Sequence, residues 1–273
     1  MGPLARLGLA SRRGFGRVTP DPFVLAVGLS LLVLLVSCAK PVPRPAPRHA
    51  EVPTAKPGGE VIDLEIEGER PAVVSVPPGA RGPLLVAAHG AGDRAEEHCA
   101  WWRDLVGARG FVLCPRGIPM TRAPDSGWFY RDHHRLESEV LAAVDAFHAR
   151  FPEADRGPAI YAGYSQGAIM GALFTARRPD RFSRLLLVEG GASEWDVPTA
   201  TRFREGGGKR VAFVCGQSHC ARDATRSLEW IRRVGLSGRR EYTAGAGHVF
   251  GGPLNDAIRD AFEWLIADDP RWR

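Results

Sequence analysis

An α/β fold, with one mostly parallel eight-stranded sheet covered by helices on both faces, is what this 273-residue chain predicts. Three observations carry that expectation. From Val61 onward, short runs rich in Val, Leu and Ile alternate with longer segments of helical period. One run passes through Gly163-Tyr164-Ser165-Gln166-Gly167 straight into such a segment, a strand–tight turn–helix arrangement. Residues 60–273 are long enough to bury both faces of a sheet in a single domain, and they contain no internal repeat and no room for a large lid domain.

The elements follow in order. Residues 61–66 and 72–76 read as an early antiparallel pair. Further strands are expected at 83–88, 110–114, 158–162, 184–189, 210–215 and 239–243. Pro83-Leu84-Leu85-Val86-Ala87-Ala88 and Leu185-Leu186-Leu187-Val188 lack polar alternation, as strands buried on both faces do. Helical patterns fall at 94–108, 134–150, 166–177, 222–234 and 254–267. Of Trp101 and Trp102 in the first helix, one should be core; His133 and His134 read as solvated or capping residues, and the arginines of 222–234 as an outer face.

Three segments carry chemistry. In Gly-Tyr-Ser-Gln-Gly the Ser165 hydroxyl would stand exposed above the sheet edge, with the Gln166 amide and the helix N-terminus facing an oxygen that becomes charged in acyl transfer. The strand 83–88 runs into His89-Gly90-Ala91-Gly92, where Ala91 is the candidate for a second oxyanion donor and His89 for a residue that pins the loop. His248, in Ala244-Gly245-Ala246-Gly247-His248 after the last strand, follows Ser165 in the order a base requires.

On these residues the chain resembles the α/β-hydrolases over about residues 80–267. Gly163-Tyr164-Ser165-Gln166-Gly167-Ala168 is similar to the elbow of the phospholipase/carboxylesterase family. Cys114-Pro115-Arg116-Gly117 followed by Gly127-Trp128-Phe129 resembles the family segment that borders the acyl pocket. The resemblance implies a serine hydrolase acting on small-molecule or lipid esters, with Ser165 as nucleophile, His248 as base, and the amides of Ala91 and Gln166 as oxyanion hole. It implies no metal, nucleotide or prosthetic group, and a monomer is expected. Polyester depolymerases share the scaffold, so a polyester or feruloyl-type substrate stays open, as does a non-catalytic binding role. The chain departs from the family at the acid: the usual Asp lies three residues after a glycine ending the seventh strand, and here Gly216 is followed at that spacing by His219. Glu189, at the end of the sixth strand, is preferred over Asp223, which stands where a helix is expected to begin and could be its N-cap, with Asp196 third.

The N-terminus reads as an export signal, residues 1–37. Residues 23–36 form an apolar run of about 21 Å as a helix, short of a bilayer core, and end in Leu35-Val36-Ser37-Cys38, which resembles the lipobox of bacterial lipoproteins. That implies lipidated Cys38 and a protein tethered in the cell envelope, facing the periplasm or exterior. Ser11-Arg12-Arg13-Gly14-Phe15-Gly16-Arg17 is close to a twin-arginine pattern, with Gly16 where a larger apolar residue is usual. Residues 38–59 are a proline-rich spacer that favours extended polyproline conformations. The two N-terminal segments hold enough Arg and Lys to account for the chain's net charge of +5, so the basic composition gives no support to nucleic-acid binding.

Apart from Cys38, four cysteines remain, an even number that suits an oxidising compartment. Three pairings are open, of which Cys99 with Cys114 and Cys215 with Cys220 are favoured. A metal site on Cys215, His219 and Cys220 lacks a further ligand cluster at zinc-type spacing.

Overall fold

The computed structural model describes residues 59–273, so the export signal, Cys38 and nearly all of the spacer lie outside the described residues. The central sheet has eight strands: β1 (Val61–Leu64), β2 (Ala72–Ser75), β3 (Leu84–Ala88), β4 (Phe111–Cys114), β7 (Ala159–Tyr164), β8 (Phe182–Val188), β9 (Arg210–Cys215) and β10 (Ser237–Tyr242). Their spatial order is β1-β2-β4-β3-β7-β8-β9-β10. β2 runs antiparallel to both β1 and β4, and the remaining pairs are parallel. A separate two-residue pairing joins β5 (Ile118–Pro119) to β6 (Trp128–Phe129).

Alternate side chains of each central strand enter two different cores. Leu84, Val86, Leu185 and Leu187 pack with α2 (His133–Arg150), α3 (Gln166–Thr175), α4 (Val197–Glu205) and α5 (Ser218–Arg233). Leu85, Ala87, Leu186 and Val188 pack with α1 (Ala95–Val106) and α6 (Asn255–Ile266). Because both faces are covered, the strands need no polar side, which is why they read as continuous apolar runs. Each fully buried Leu or Phe contributes about 1.5–3 kcal/mol. Trp102 is the tryptophan of the pair that enters the core. β10 is the polar edge, with Arg239 and Arg240 beside Ala212 and Phe213 of β9.

Four expectations are corrected. The helix α4 falls in 190–209, where only loop was expected; Asp196 is its N-cap, accepting the Thr199 N–H at 2.7 Å. The β5–β6 pairing was not foreseen. α5 begins at Ser218, so Asp223 lies inside the helix and Gln217 holds the N-cap position instead. At α2 the cap is Asp132, which accepts from the amides of His134 and Arg135, both at 2.9 Å. The two favoured cysteine pairs are formed: Cys99–Cys114 and Cys215–Cys220, with Cα separations of 5.8 and 5.6 Å. Among the described residues no helix is long and apolar enough to cross a membrane.

The C-terminus is clamped by charge. Buried Asp269 accepts from Arg271 at 2.6 and 2.9 Å, Arg271 also reaches Asp155 at 3.0 Å, and buried Arg184 of β8 donates to Asp268 at 2.7 Å. Burial pushes the Asp269 carboxyl up, but the Arg271 hydrogen bonds and the nearby arginine charges outweigh it and hold it below the ordinary value of 3.8. A carboxyl depressed by folding stabilises the fold above its unfolded pKa and loses that contribution as pH falls through the folded one. Asp269→Asn is therefore expected to cost about 1–2 kcal/mol at neutral pH by removing the charge that Arg271 and Arg184 share, leaving Arg271 with Asp155 and Arg184 with Asp268. The gap to the wild type should close as pH drops below about 4, as followed by urea unfolding across pH.

Candidate active site

Ser165 sits at the turn between β7 and α3 with φ 48° and ψ −111°, a conformation that is strained for a residue with a side chain. The strain falls on the serine itself, while the flanking glycines answer a different need. A Cβ on Gly167 would lie 2.5 Å from the Ala88 carbonyl oxygen, and one on Gly163 2.7 Å from the Ala168 nitrogen. The motif thus lets α3 start directly against the end of β3, and the Gly167 amide donates to the His89 carbonyl at 3.2 Å.

The structure brings Ser165, His248 and Glu189 together. His248 Nε2 lies 2.8 Å from Ser165 Oγ, and His248 Nδ1 lies 3.1 Å from Glu189 Oε2. The Glu189 side chain is fully buried, whereas that of His248 is 43% exposed. Glu189 directly follows β8 at φ 53° and its amide bonds the Val214 carbonyl, which aims the side chain across the sheet end. Its Oε1 accepts the Gly216 N–H and, at 3.1 Å, the Gln217 N–H. The loop carrying His248 is fastened by Thr243 N–H to the Cys215 carbonyl at 2.9 Å and by the Tyr164 hydroxyl to the His248 carbonyl at 3.2 Å. Burial pushes the Tyr164 phenol up, which keeps it protonated as that donor.

Asp223 is half-buried within α5 and Asp196 is engaged at α4, so neither alternative acid meets the imidazole; its Nδ1 neighbours are Glu189 and Gln217. Sequence reasoning missed Gln217, whose Oε1 lies 3.0 Å from His248 Nδ1. Its only signal was adjacency to Gly216. His219 is exposed on α5. Glu189, Cys215 and Cys220 converge within 4.8 Å, but the sulfurs are bonded to each other, so they offer no thiolate to a metal ion.

The loop after β3 meets the start of α3. The Gly90 N–H donates to Asp93 Oδ2 at 3.2 Å and the Gly92 N–H to the Trp128 carbonyl at 2.8 Å. Between them the Ala91 N–H has no partner among the described residues, and neither does that of Gln166 at the first turn of α3. The Gln166 side chain accepts the Tyr130 N–H at 2.8 Å, which ties the start of α3 to the segment after β6. His89 is completely buried, with ring nitrogens 2.7 Å from the Gly90 carbonyl and 3.0 Å from that of Arg116. Burial holds its imidazole below the ordinary histidine value, so it stays neutral and serves the loop's geometry.

Solved structures share this architecture. TT1662 from Thermus thermophilus aligns with a TM-score of 0.57 at 21% identity, over 76% of this chain and 98% of that one. The Staphylococcus aureus fluorophosphonate-binding serine hydrolase F aligns at 0.57 and 13%, over 77% and 100%. A thermostable esterase aligns at 0.54 and 17%, over 76% and 62%. The fold is the α/β-hydrolase fold. At these identities the likeness reaches no further than the fold. No protein-family model and no curated protein matches the sequence.

In this geometry Glu189 is the carboxylate in contact with the imidazole that meets Ser165. Glu189→Gln is expected to slow phosphonylation of Ser165 by a fluorophosphonate at least about 100-fold, since the Gly216 and Gln217 amides would hold the new amide oxygen and turn its NH2 toward His248 Nδ1, which disfavours the working tautomer and removes the charge that stabilises the imidazolium. Asp223→Asn and Asp196→Asn should label at the wild-type rate. Time-resolved labelling followed by intact mass compares them, and slow labelling of Asp223→Asn with normal labelling of Glu189→Gln would reverse the assignment.

Proposed function

We propose that this chain is a serine hydrolase that cleaves carboxylic esters through an acyl-enzyme, tethered to the outside of a bacterial membrane through Cys38. The observation that supports the chemistry most directly is the 2.8 Å contact between Ser165 Oγ and His248 Nε2, together with the Ala91 and Gln166 amides that are unpartnered among the described residues. His248 Nε2 takes the proton as Ser165 Oγ attacks the ester carbonyl. The amides of Ala91 and Gln166 hold the tetrahedral oxyanion. The proton passes to the departing alcohol, and water activated by His248 then releases the acid.

A polyester or feruloyl-type substrate is the second reading. It is favoured by two exposed apolar side chains beside the site: Met120, 54% exposed, whose sulfur faces Gly92 of the oxyanion loop, and Ile169, 42% exposed, one turn beyond Ser165 in α3. Turnover of a soluble ester panel against release from an insoluble polyester film distinguishes the two.

Ser165→Ala and His248→Ala should each abolish ester hydrolysis, by at least about 1,000-fold, with unchanged thermal unfolding; their double variant should be no slower than either, because the two groups act as one unit. A wild type that neither hydrolyses esters nor labels with fluorophosphonate would instead support a binding role on a hydrolase scaffold.

Tethering rests on Leu35-Val36-Ser37-Cys38 and the proline-rich spacer behind it. In a bacterial host, wild-type protein should partition into detergent and carry the mass of a diacylglyceryl thioether and an N-acyl chain. Cys38→Ala should give an unmodified species. Wild-type mature protein found in the aqueous phase would overturn the anchor.

A further inference from the structure

His248 Nε2 must be free of hydrogen to accept the Ser165 proton, so in the resting site the ring's N–H is at Nδ1. That nitrogen faces two acceptors, Glu189 Oε2 at 3.1 Å and Gln217 Oε1 at 3.0 Å. A single N–H pointed between two oxygens makes a three-centred hydrogen bond. Gln217 also grips the other oxygen of the same carboxylate through its own main-chain N–H, at 3.1 Å. One residue therefore holds the acid with its backbone and the base with its side chain. Its position is fixed by the Cys215–Cys220 bridge, which closes the turn on which it sits, and by the start of α5 directly after it.

We infer that Gln217 is a positioning residue of the hydrolase site: a second, neutral acceptor that locks the His248 imidazole in its working orientation and stabilises the imidazolium that forms when Ser165 attacks. The kinetic part of this inference rests on the function proposed above; the contact itself does not. A neutral amide oxygen suits the role because the carboxylate already supplies the charge. The amide adds an attractive dipole without requiring a second buried anion beside Glu189. The ionisable groups facing the ring are Glu189 at the end of β8 and Tyr164 at the end of β7, whose ring centroid is 5.4 Å from that of His248; from α5 the side chain that reaches it is the uncharged Gln217.

The test uses Gln217→Met, which keeps the chain length and main-chain donor but removes the acceptor oxygen, and Gln217→Glu, which keeps an acceptor and adds charge. Three readouts are taken on the oxidised protein. First, the low-field proton of His248 Nδ1, assigned by its loss in His248→Ala, should be sharp in the wild type and in Gln217→Glu and exchange-broadened in Gln217→Met. Second, kcat for a chromogenic ester should fall about tenfold in Gln217→Met with KM within about twofold. Third, the acidic limb of kcat/KM should move about one pH unit upward in Gln217→Glu, since a second anion favours the imidazolium. A purely structural side chain would lower stability without moving the pH limb.

An unchanged proton line and kcat in Gln217→Met, or a change in KM alone, would overturn the inference, the latter by placing Gln217 against substrate instead of base. An inert wild type would count against the hydrolase reading, while the proton line would still decide whether Gln217 holds the imidazole. If Gln217→Met fails to fold, the line and the pH limb of Gln217→Glu carry the decision.

Discussion

A single buried carboxylate organises the C-terminal half of the site. The Glu189 side chain is wholly shielded from water, and an ionised carboxylate there is tolerable only if its lone pairs are met by donors. The donors come from two separate loops: the amides of Gly216 and Gln217 after β9, and the imidazole of His248 after β10. Satisfying one charge therefore fixes three strand ends relative to each other. The loops meet so closely that a Cβ on Gly216 would lie 2.4 Å from the Gly247 carbonyl oxygen, so a side chain there would drive the acid's donors away from the base.

The N-terminal half is held by a series of hydrogen bonds. Glu139 of α2 accepts the amides of Arg116 and Gly117 at 2.9 and 2.8 Å, the Arg116 carbonyl meets the His89 ring, and His89 leads into the loop bearing Ala91. Trp128 braces the same loop from the other side, accepting from Gly92 and donating to the Asp93 carbonyl at 2.9 Å. Burial pushes Asp93 up, yet its hydrogen bond to His98 and the nearby imidazoles outweigh that and hold it below the usual carboxylate value. It stays ionised as the acceptor for the Gly90 N–H. With the amides on either side engaged, the Ala91 N–H is left without a partner among the described residues. On the proposed function such a donor would be fixed before any charge develops.

How much of this the sequence disclosed follows from where each signal resides. The elbow, the His-Gly loop and the apolar strands were legible because local sterics and two-sided burial write them into consecutive residues, as at Gly163, Gly167 and Leu185-Leu186-Leu187-Val188. α4 escaped because its nine residues bury only Ala200 and Phe203, too few to set a helical period, although Asp196-Val197-Pro198 carries a cap and an N-terminal proline. The β5–β6 pairing is two residues long on each side, and its Trp128 bonds Gly92 and Asp93 of the loop after β3, which only the folded chain brings near. Gln217 was invisible for the same reason: its partner is 31 positions away and nothing in an isolated glutamine announces it.

The acid's location has a geometric cause. The Cys215–Cys220 bridge draws the end of β9 against the first turn of α5, so the chain passes from strand to helix through Gly216 and Gln217 alone. A loop that short cannot send a side chain from position 219 back to the imidazole; it places His219 on the exposed face of α5 instead. What the tight turn can present is its backbone, two consecutive N–H groups converging on one point. Such a pair is an anion site waiting for an oxygen from elsewhere. Glu189, forced into a left-handed conformation at the end of the adjacent strand, supplies it. The bridge and the displaced acid are thus two sides of one constraint: shortening the loop removes room for an acid of its own and at the same time builds the cradle that holds a neighbour's.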